Sequence, residues 1–239
     1  MSLFQFKQFS VNQDQCAMKI GTDGVLLGAW TPIENQPKTI LDIGTGTGII
    51  ALMLAQRSSA NQIDALEIDD EAYEQATDNF ENSPWGDRLF CFHAGLDEFV
   101  DDPEDEYDLI VSNPPFYSED FQSENEQRNL ARFQEAMPFE ELVEAADLLL
   151  SENGIFSVII PFNEEDRFIK LCANVELYPI KVTRVKGTQN TKIIRSLLAF
   201  KRYELPILVA DELVIEISRH EYTPEYIELT KEFYLKMES

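Results

Sequence analysis

The residues with the clearest chemical potential are Asn113, Pro114, Pro115 and Phe116, which directly follow the apolar run Tyr107–Ser112. Each proline fixes its own φ and restricts the residue before it, so Asn113 and Pro114 are expected to be extended just past a strand end. The side-chain oxygen of Asn113 and the carbonyl of Pro114 could then accept both N–H donors of a planar amine, while Phe116 stacks on its ring. The alternative is an ordinary proline-rich turn after a strand.

A glycine-rich run lies between a β-rich segment, residues 39–43, and a segment of helical composition, residues 49–57. Its candidate ligand-binding residues are Asp42, Gly44, Gly46 and Gly48. The missing side chains let a ligand approach the backbone, and the helix N-terminus offers N–H donors. The third glycine comes one position too early for the dinucleotide pattern, which weakens a pyrophosphate interpretation. Glu67, after the next β-rich run, could accept hydrogen bonds from both hydroxyls of a ribose, so the pattern indicates a nucleoside.

The order of elements explains how these residues could meet. Helical segments separate predicted strands at residues 39–43, 62–68, 89–93, 107–112 and 155–160. Such alternation is typical of βαβ units in a mainly parallel sheet, which binds ligands at the carboxyl ends of its strands. The glycine run and Asn113 both fall at that edge.

Three further segments complete the pattern. Residues 180–186 and 192–201 predict an antiparallel hairpin, and residues 222–237 have the periodicity of a helix that packs back on the domain. The polar stretch 118–132 could form a lid beside Phe116.

The composition is that of one globular domain. Hydrophobic and charged residues make up 44% and 26% of the 239 residues, and no apolar run is long enough for a membrane span. We expect a single domain over residues 1–239, with an N-terminal extension (1–37) that contributes to the ligand site, a core (38–202) and a C-terminal extension (203–239). A monomer is favoured.

The cysteines and histidines indicate the redox compartment of the protein and whether a metal site is expected. The start of the chain lacks the continuous apolar region of a secretory signal. Cys16, Cys91 and Cys172 have no close spacing, which argues against disulfides and suits a reducing cytoplasm. Neither His93 nor His220 lies beside a cysteine pair, so no metal site is predicted.

Charge is distributed unevenly along the chain. A net charge of −25 would normally disfavour nucleic acid as a partner. Residues 177–203, however, contain cations and no Asp or Glu. The candidate phosphate ligands on the predicted hairpin are Lys181, Arg184, Lys186, Lys192 and Arg195. The alternative is that these cations protect the exposed edges of a hairpin.

The strand-end acids, the glycine run and the Asn-Pro-Pro-aromatic sequence, in this order, resemble the class I S-adenosylmethionine-dependent methyltransferases over roughly residues 20–202. The resemblance implies an α/β, Rossmann-like fold with a mainly parallel seven-stranded sheet, an antiparallel C-terminal hairpin and helices on both faces. It also implies that the glycine run wraps the methionine and ribose parts of the cofactor, that Glu67 binds the ribose hydroxyls and that residues 113–116 receive an amine.

One position departs from the family. Many relatives carry an Asp after the third strand that contacts the adenine of the cofactor, whereas this chain has Ala94-Gly95-Leu96-Asp97 after His93. The backbone near Leu96 and the side chain of Asp97 are therefore the candidates for that contact.

The N-terminal sequence narrows the resemblance. Residues 18–30 resemble the opening signature of bacterial tRNA1(Val) (adenine-37-N6)-methyltransferases, and residues 195–198 resemble part of their C-terminal half. Thr22 and Asp23 could bind the methionine ammonium or close the cofactor pocket, or could instead cap a helix. The resemblance implies methyl transfer to N6 of an adenine in tRNA, with adenine 37 of the anticodon loop of tRNA1(Val) as the expected target.

Other functions remain open on the sequence. The Asn-Pro-Pro-aromatic motif also suits N2 of a guanine in ribosomal RNA and N5 of a glutamine in a protein, although the acid-free hairpin favours RNA. A module that binds the cofactor without catalysis is a further alternative, and the intact motif at residues 113–116 argues against it.

Overall fold

The computed structural model describes residues 3–16, 18–100, 106–115, 137–206 and 208–237. Phe116 and the predicted lid at residues 118–132 lie outside the described residues. Within these ranges, no helix is long and apolar enough to cross a membrane. The same ranges contain no group of three or more His, Cys, Asp or Glu side chains that could hold a metal ion.

Strands and helices alternate through most of the chain. The strands are β1 (Leu3–Gln5), β2 (Ser10–Asn12), β3 (Thr39–Ile43), β4 (Gln62–Glu67), β5 (Leu89–His93), β6 (Tyr107–Ser112), β7 (Leu150–Pro161), β8 (Tyr178–Thr188), β9 (Ile193–Lys201), β10 (Asp211–Ser218) and β11 (Glu221–Tyr222). The helices are α1 (Thr22–Trp30), α2 (Ile49–Arg57), α3 (Asp70–Glu81), α4 (Leu96–Val100), α5 (Phe139–Leu149), α6 (Glu165–Asn174) and α7 (Pro224–Thr230). A short 3₁₀ turn, Phe162–Glu164, links β7 to α6.

One large sheet organises the described residues, with strand order β11-β10-β8-β9-β7-β6-β3-β4-β5. Strands β5, β4, β3, β6 and β7 pair in parallel, and β9 lies antiparallel between β7 and β8. The parallel core and the antiparallel hairpin are therefore confirmed. The seven predicted strands are present, and β10 and β11 extend the sheet beyond them. Because β10 pairs with β8, the hairpin does not form the sheet edge, and the edge-protection alternative for its cations does not apply.

The middle strands consist mainly of apolar residues and are buried on both faces, as parallel strands usually are. Completely buried side chains in β3 and β6 are Ile40, Leu41, Ile43, Leu109, Ile110 and Val111. One hydrophobic cluster joins the sheet to α1 and α2, and a second joins it to α5 and α6. The predicted helices on both faces are thus confirmed.

Two glycines bring α1 close to α2. A Cβ on Gly28 would lie 2.8 Å from Sδ of Met53, and one on Gly24 would lie 3.2 Å from Cγ2 of Ile49. Since Ile49 begins α2, this packing places the start of α1 beside the end of the glycine run.

Helix α3 holds the N-terminal segment in place. The buried amide of Asn79 accepts from N of Asn12 at 2.8 Å and donates at 2.9 Å to O of Asn12 and to O of Thr47. Oε1 of Gln75 accepts from N of Gln15 at 2.8 Å. The segment that precedes α1 and the glycine run are therefore attached to the same helix.

The C-terminal segment differs from the prediction. The helix covers only Pro224–Thr230, with Thr223 accepting from N of Tyr226, instead of residues 222–237. The chain then leaves the helix because it bonds the N-terminal segment, with N of Lys7 donating to O of Phe233 at 2.8 Å and Phe6 bridging Tyr234. Tyr226, Phe233 and Met237 are still buried, as predicted for a segment that packs back on the domain.

This packing predicts that the tail contributes to stability. Phe233 is 2% exposed and Leu235 is 48% exposed. We expect Phe233→Ala to lower the free energy of unfolding by about 3–5 kcal/mol through lost burial and a cavity. Leu235→Ala should change it by less than about 0.5 kcal/mol. Urea denaturation measures both, and equal effects of the two substitutions would contradict the packing described.

Candidate active site

The candidate site lies at the carboxyl ends of three adjacent strands. Ile43, the last residue of β3, pairs with Leu66 in β4 on one side and with Ser112 in β6 on the other. Gly44, Glu67 and Asn113 follow at or just beyond these pairs. The sheet therefore brings together the glycine run, the second strand-end acid and the start of the Asn-Pro-Pro sequence.

The glycine run forms an open cradle. Gly44, Gly46 and Gly48 have φ values of +71°, +55° and +80°, which side chains rarely tolerate. A Cβ on Gly44 or Gly46 would meet no atom within 4 Å, so the backbone borders open space there. A Cβ on Gly48 would lie 2.5 Å from Cε1 of Phe80. The first two glycines thus leave room for a ligand, and the third allows the loop to pack on α3.

Glu67 borders the cradle and holds its backbone in place. Its Oε2 accepts from N of Gly46 at 2.8 Å, and its Oε1 accepts from N of Ile68 at 3.0 Å and N of Asp69 at 3.1 Å. A carboxylate has about four acceptor positions, so these three bonds leave capacity for a hydroxyl of a ligand.

Asp42 is a buried acid beneath the glycine run. Its Oδ2 accepts from Oγ1 of Thr45 at 2.6 Å and from N of Ala51 at 3.2 Å. Its Oδ1 is also buried and has no hydrogen-bond partner among the described residues. Burial raises the pKa of Asp42 to about 7, against the bonds from Thr45 and Ala51, which lower it. The unpaired oxygen suits a cationic or N–H-donating ligand group.

The start of α1 contributes an ion pair. Oδ2 of Asp23 lies 2.8 Å from Nε of Arg195 in β9. Gly21 occupies the N-cap position of α1 and no side chain caps the helix, so the capping alternative for Thr22 and Asp23 is wrong. Thr22 is exposed beside this pair.

The predicted adenine-side residues lie at the start of α4. Leu96 is half-buried and Asp97 is exposed. Oδ1 of Asp97 would lie 2.6 Å from a Cβ on Gly95, and Cδ1 of Ile68 would lie 3.5 Å from it. Ile68, which the sequence did not single out, is 68% exposed directly after Glu67 and is a further candidate. An apolar residue immediately after a strand-end acid is the signal that could have found it.

The Asn-Pro-Pro segment is anchored at its start. Oγ of the buried Ser112 donates to O of Ile43 at 2.8 Å, which ties the ends of β6 and β3 together. Asn113 and Pro115 are half-buried and Pro114 is buried, outside any helix or strand. Phe116 lies outside the described residues, so its stacking role stays a prediction.

The hairpin cations have acidic or aromatic partners from other elements. Arg184 pairs with Glu165 at 2.7 Å, Lys186 with Glu212 at 2.8 Å and Arg195 with Asp23. Nζ of Lys181 donates to O of Trp30 at 3.1 Å and lies 4.3 Å from its ring centroid, and burial lowers the pKa of this lysine.

Lys192 differs from these four residues. It is exposed and has no ion-pair partner within the described part of the chain. The hairpin contains no acidic residue, but acidic side chains from other elements offset most of its positive charge.

The buried Asp42 predicts a pH-dependent stability. Because its pKa is about 7 in the folded protein against an ordinary value of 3.8, the folded state holds a proton that the unfolded chain has lost between these values. Stability therefore falls as pH rises through this window. We expect Asp42→Asn to remove this loss. The free energy of unfolding of the variant minus that of the wild type should therefore increase with pH, by at most about 1.4 kcal/mol per pH unit.

Urea denaturation at several pH values from about 5 to about 8 measures this difference, in which the other titrating groups cancel. A difference that does not change with pH would contradict the burial of a protonated Asp42.

Comparisons with known proteins agree with this geometry. The chain matches the model of the methyltransferase small domain family over residues 25–169. It is 74% identical over 235 residues to the tRNA1(Val) (adenine(37)-N6)-methyltransferase of Flavobacterium johnsoniae, covering 98% of this chain and 100% of the relative. It is 46% identical over 240 residues to the protein of the same name from Bacteroides fragilis, covering 98% of each.

Among solved structures, a predicted O-methyltransferase from Agrobacterium tumefaciens superimposes with a TM-score of 0.69 at 18% identity, covering 88% of this chain and 96% of that chain. This likeness concerns the fold. On its sequence and its fold, the chain belongs to the methyltransferase small domain family and, within it, to the family of the tRNA1(Val) (adenine(37)-N6)-methyltransferases.

Proposed function

We propose that the protein transfers a methyl group from S-adenosylmethionine to the exocyclic N6 of an adenine in tRNA, with adenine 37 of the anticodon loop of tRNA1(Val) as the target. One juxtaposition carries the proposal. The cradle at Gly44 and Gly46 lies one strand away from Asn113 and Pro114, because β3 and β6 end side by side at Ile43 and Ser112. The relatives' names support adenine and tRNA as the acceptor.

The residues present fit the cofactor. Gly44 and Gly46 leave space against the backbone, and the buried, unpaired Oδ1 of Asp42 suits the ammonium of the methionine part. Glu67 keeps acceptor capacity for a ribose hydroxyl. When bound, S-adenosylmethionine supplies an electrophilic methyl group on a positively charged sulfur.

The base of the cofactor would lie farther along the same edge. Ile68 and Leu96 offer apolar surface for the flat adenine ring, and Asp97 offers an acceptor for its amino group. Thr22 and Asp23 would close the opposite side, at the start of α1.

Asn113 and Pro114 supply the acceptor chemistry. Oδ1 of Asn113 and O of Pro114 would accept the two protons of the target amine and hold its lone pair along the line of displacement. They would also stabilise the positive charge that develops on nitrogen during transfer, so no strong base is needed. The two prolines and the Ser112 anchor keep these acceptors rigid, so little reorganisation accompanies the reaction.

The RNA would approach the carboxyl edge of the sheet. Lys192 lies at that edge, just before β9, and is available for a phosphate. Lys186 and Arg195 could still donate to phosphates beyond their acidic partners. Lys181 would contribute least, because Trp30 holds it on the face covered by α1.

We further propose that residues 1–239 act as one methyltransferase domain in which the N-terminal extension completes the cofactor site. The contacts of Asn79 with Asn12 and Thr47, and of Asp23 with Arg195, support this. A tRNA substrate implies a cytoplasmic protein.

The central role of Asn113 is testable. We expect Asn113→Ala to abolish methyl transfer to tRNA while leaving the Kd of S-adenosylmethionine nearly unchanged, because the side chain acts on the amine. Isotope transfer and calorimetric titration measure the two quantities. Gly44→Val, which would fill the cradle at a positive φ, should instead lose cofactor binding and, with it, methyl transfer. Equal loss of both quantities in Asn113→Ala would show that the assignment is wrong.

The choice of RNA over protein as substrate is testable at Lys192. We expect Lys192→Glu to raise KM for tRNA roughly 10-fold at low salt and to reduce the dependence of log KM on log salt concentration by about one. Lys38→Glu is the matched control, because Lys38 is exposed just before β3, at the amino edge, and carries the same charge change. A protein substrate predicts no difference between the two variants.

A further inference from the structure

Close to the candidate active site, the guanidinium group of Arg184 lies over the aromatic ring of Phe162, and this pair forms part of the protein surface. Cζ of Arg184 lies 5.5 Å from the ring centroid of Phe162. The Arg184 side chain is 39% exposed, and Phe162 is half-buried. Neither residue has a part in the methyl-transfer chemistry described above.

The guanidinium group is held in place along one edge by hydrogen bonds. Nη2 of Arg184 lies 2.7 Å from Oε1 of Glu165, and Nε lies 3.2 Å from both carboxylate oxygens. Glu165 is 3% exposed and also accepts from the hydroxyl of Ser196. A guanidinium fixed in this way presents its face without losing much conformational freedom on binding.

This pairing decides what the arginine can bind. The buried carboxylate of Glu165 offsets the charge of Arg184, and drawing the guanidinium away to a phosphate would leave that carboxylate buried and unpaired. A stacked ligand has no such cost, because it uses the face of the guanidinium and leaves its hydrogen bonds to Glu165 intact. Nucleobases stack on guanidinium planes and on aromatic rings.

The pair of Arg184 and Phe162 lies near the end of β6, the strand that precedes Asn113. The last pair between β6 and β7 is Ser112 with Val158. Strand β6 ends at Ser112, whereas β7 continues beside β9 to Pro161, directly before Phe162. Arg184 lies across from Ser196, which pairs with Ile160 of β7. Three strand spacings separate β6 from β8, roughly 14 Å. A base held by Asn113 cannot also contact Arg184 over this distance, whereas the base of a neighbouring nucleotide can.

We propose that Arg184 and Phe162 form a stacking platform for a nucleobase that neighbours the methylated adenine in the anticodon loop. The inference rests on the proposed function and adds a binding site for a second base of the same RNA. It assigns Arg184 a face-on contact in place of the phosphate contact expected from the sequence.

The variant that tests the platform is Arg184→Lys, which keeps the charge beside Glu165 and removes the plane. For an anticodon stem-loop RNA, we expect KM to rise about 10-fold with kcat, the Kd of S-adenosylmethionine and the salt dependence of KM unchanged. Phe162→Leu should raise KM in the same direction and serves as the second variant if Arg184→Lys folds poorly. Arg202→Lys is the matched control, because Arg202 pairs with Asp147 at the opposite end of the same hairpin, and its KM should equal that of the wild type.

Abasic nucleotides placed singly on either side of the target adenine identify the stacked base. At the position that contacts the platform, an abasic nucleotide should raise the wild-type KM about 10-fold and leave the KM of Arg184→Lys and Phe162→Leu unchanged, because the contact is already lost. The platform is overturned if both variants match the wild type on intact RNA, or if the effects of variant and abasic nucleotide add at every position.

Because Arg184→Lys keeps the charge, a phosphate contact is tested with Arg184→Gln, which removes it. A salt dependence of KM smaller by about one in Arg184→Gln would overturn the platform, in favour of a phosphate contact. Failure of the wild type to methylate the adenine of the stem-loop would instead overturn the proposed function, so the two failures are distinguishable.

Discussion

The pairing of β3 with β4 on one side and β6 on the other sets the geometry on which the site depends. Adjacent strands lie about 4.8 Å apart, so residues that follow paired strand ends cannot separate far. Ile43 pairs with both Leu66 and Ser112, and the hydroxyl of Ser112 adds a bond to O of Ile43. A displacement reaction needs its atoms aligned, and this pairing of strands holds the proposed methyl-donor side and the proposed amine side at a fixed separation. Burial of β3 and β6 on both faces makes that separation rigid.

Polar side chains then attach the chain's outer segments to this frame. Asn79 links the N-terminal segment to the glycine run, and Glu67 holds Gly46. Asp23 and Arg195 join α1 to β9, so the two stretches that resemble the tRNA methyltransferases, residues 18–30 and 195–198, meet through one ion pair. The N-terminal and C-terminal parts of the sequence signature therefore describe one structural unit next to the site.

The parts of the fold that follow from local sequence could be predicted. Strands β5 and β6 have the predicted bounds, because short apolar runs between polar segments determine them. The glycine run and Glu67 meet because a parallel sheet places successive strand ends at one edge.

The features that depend on distant partners could not be predicted. The tail after Thr230 follows its bonds to Lys7 and Phe6 instead of its helical periodicity. The acid partners of Arg184 and Lys186 come from α6 and β10, far along the chain, so a count of charges within the hairpin overstates its positive field. Ile68 is a candidate site residue only because the structure exposes it directly after Glu67.

The most direct measurement is the identity of the methylated nucleoside. The protein is incubated with labelled S-adenosylmethionine and total tRNA that lacks the modification, and the tRNA is then digested to nucleosides and separated. We expect label in N6-methyladenosine. Label in N2-methylguanosine, or none in any nucleoside of the tRNA, would contradict it.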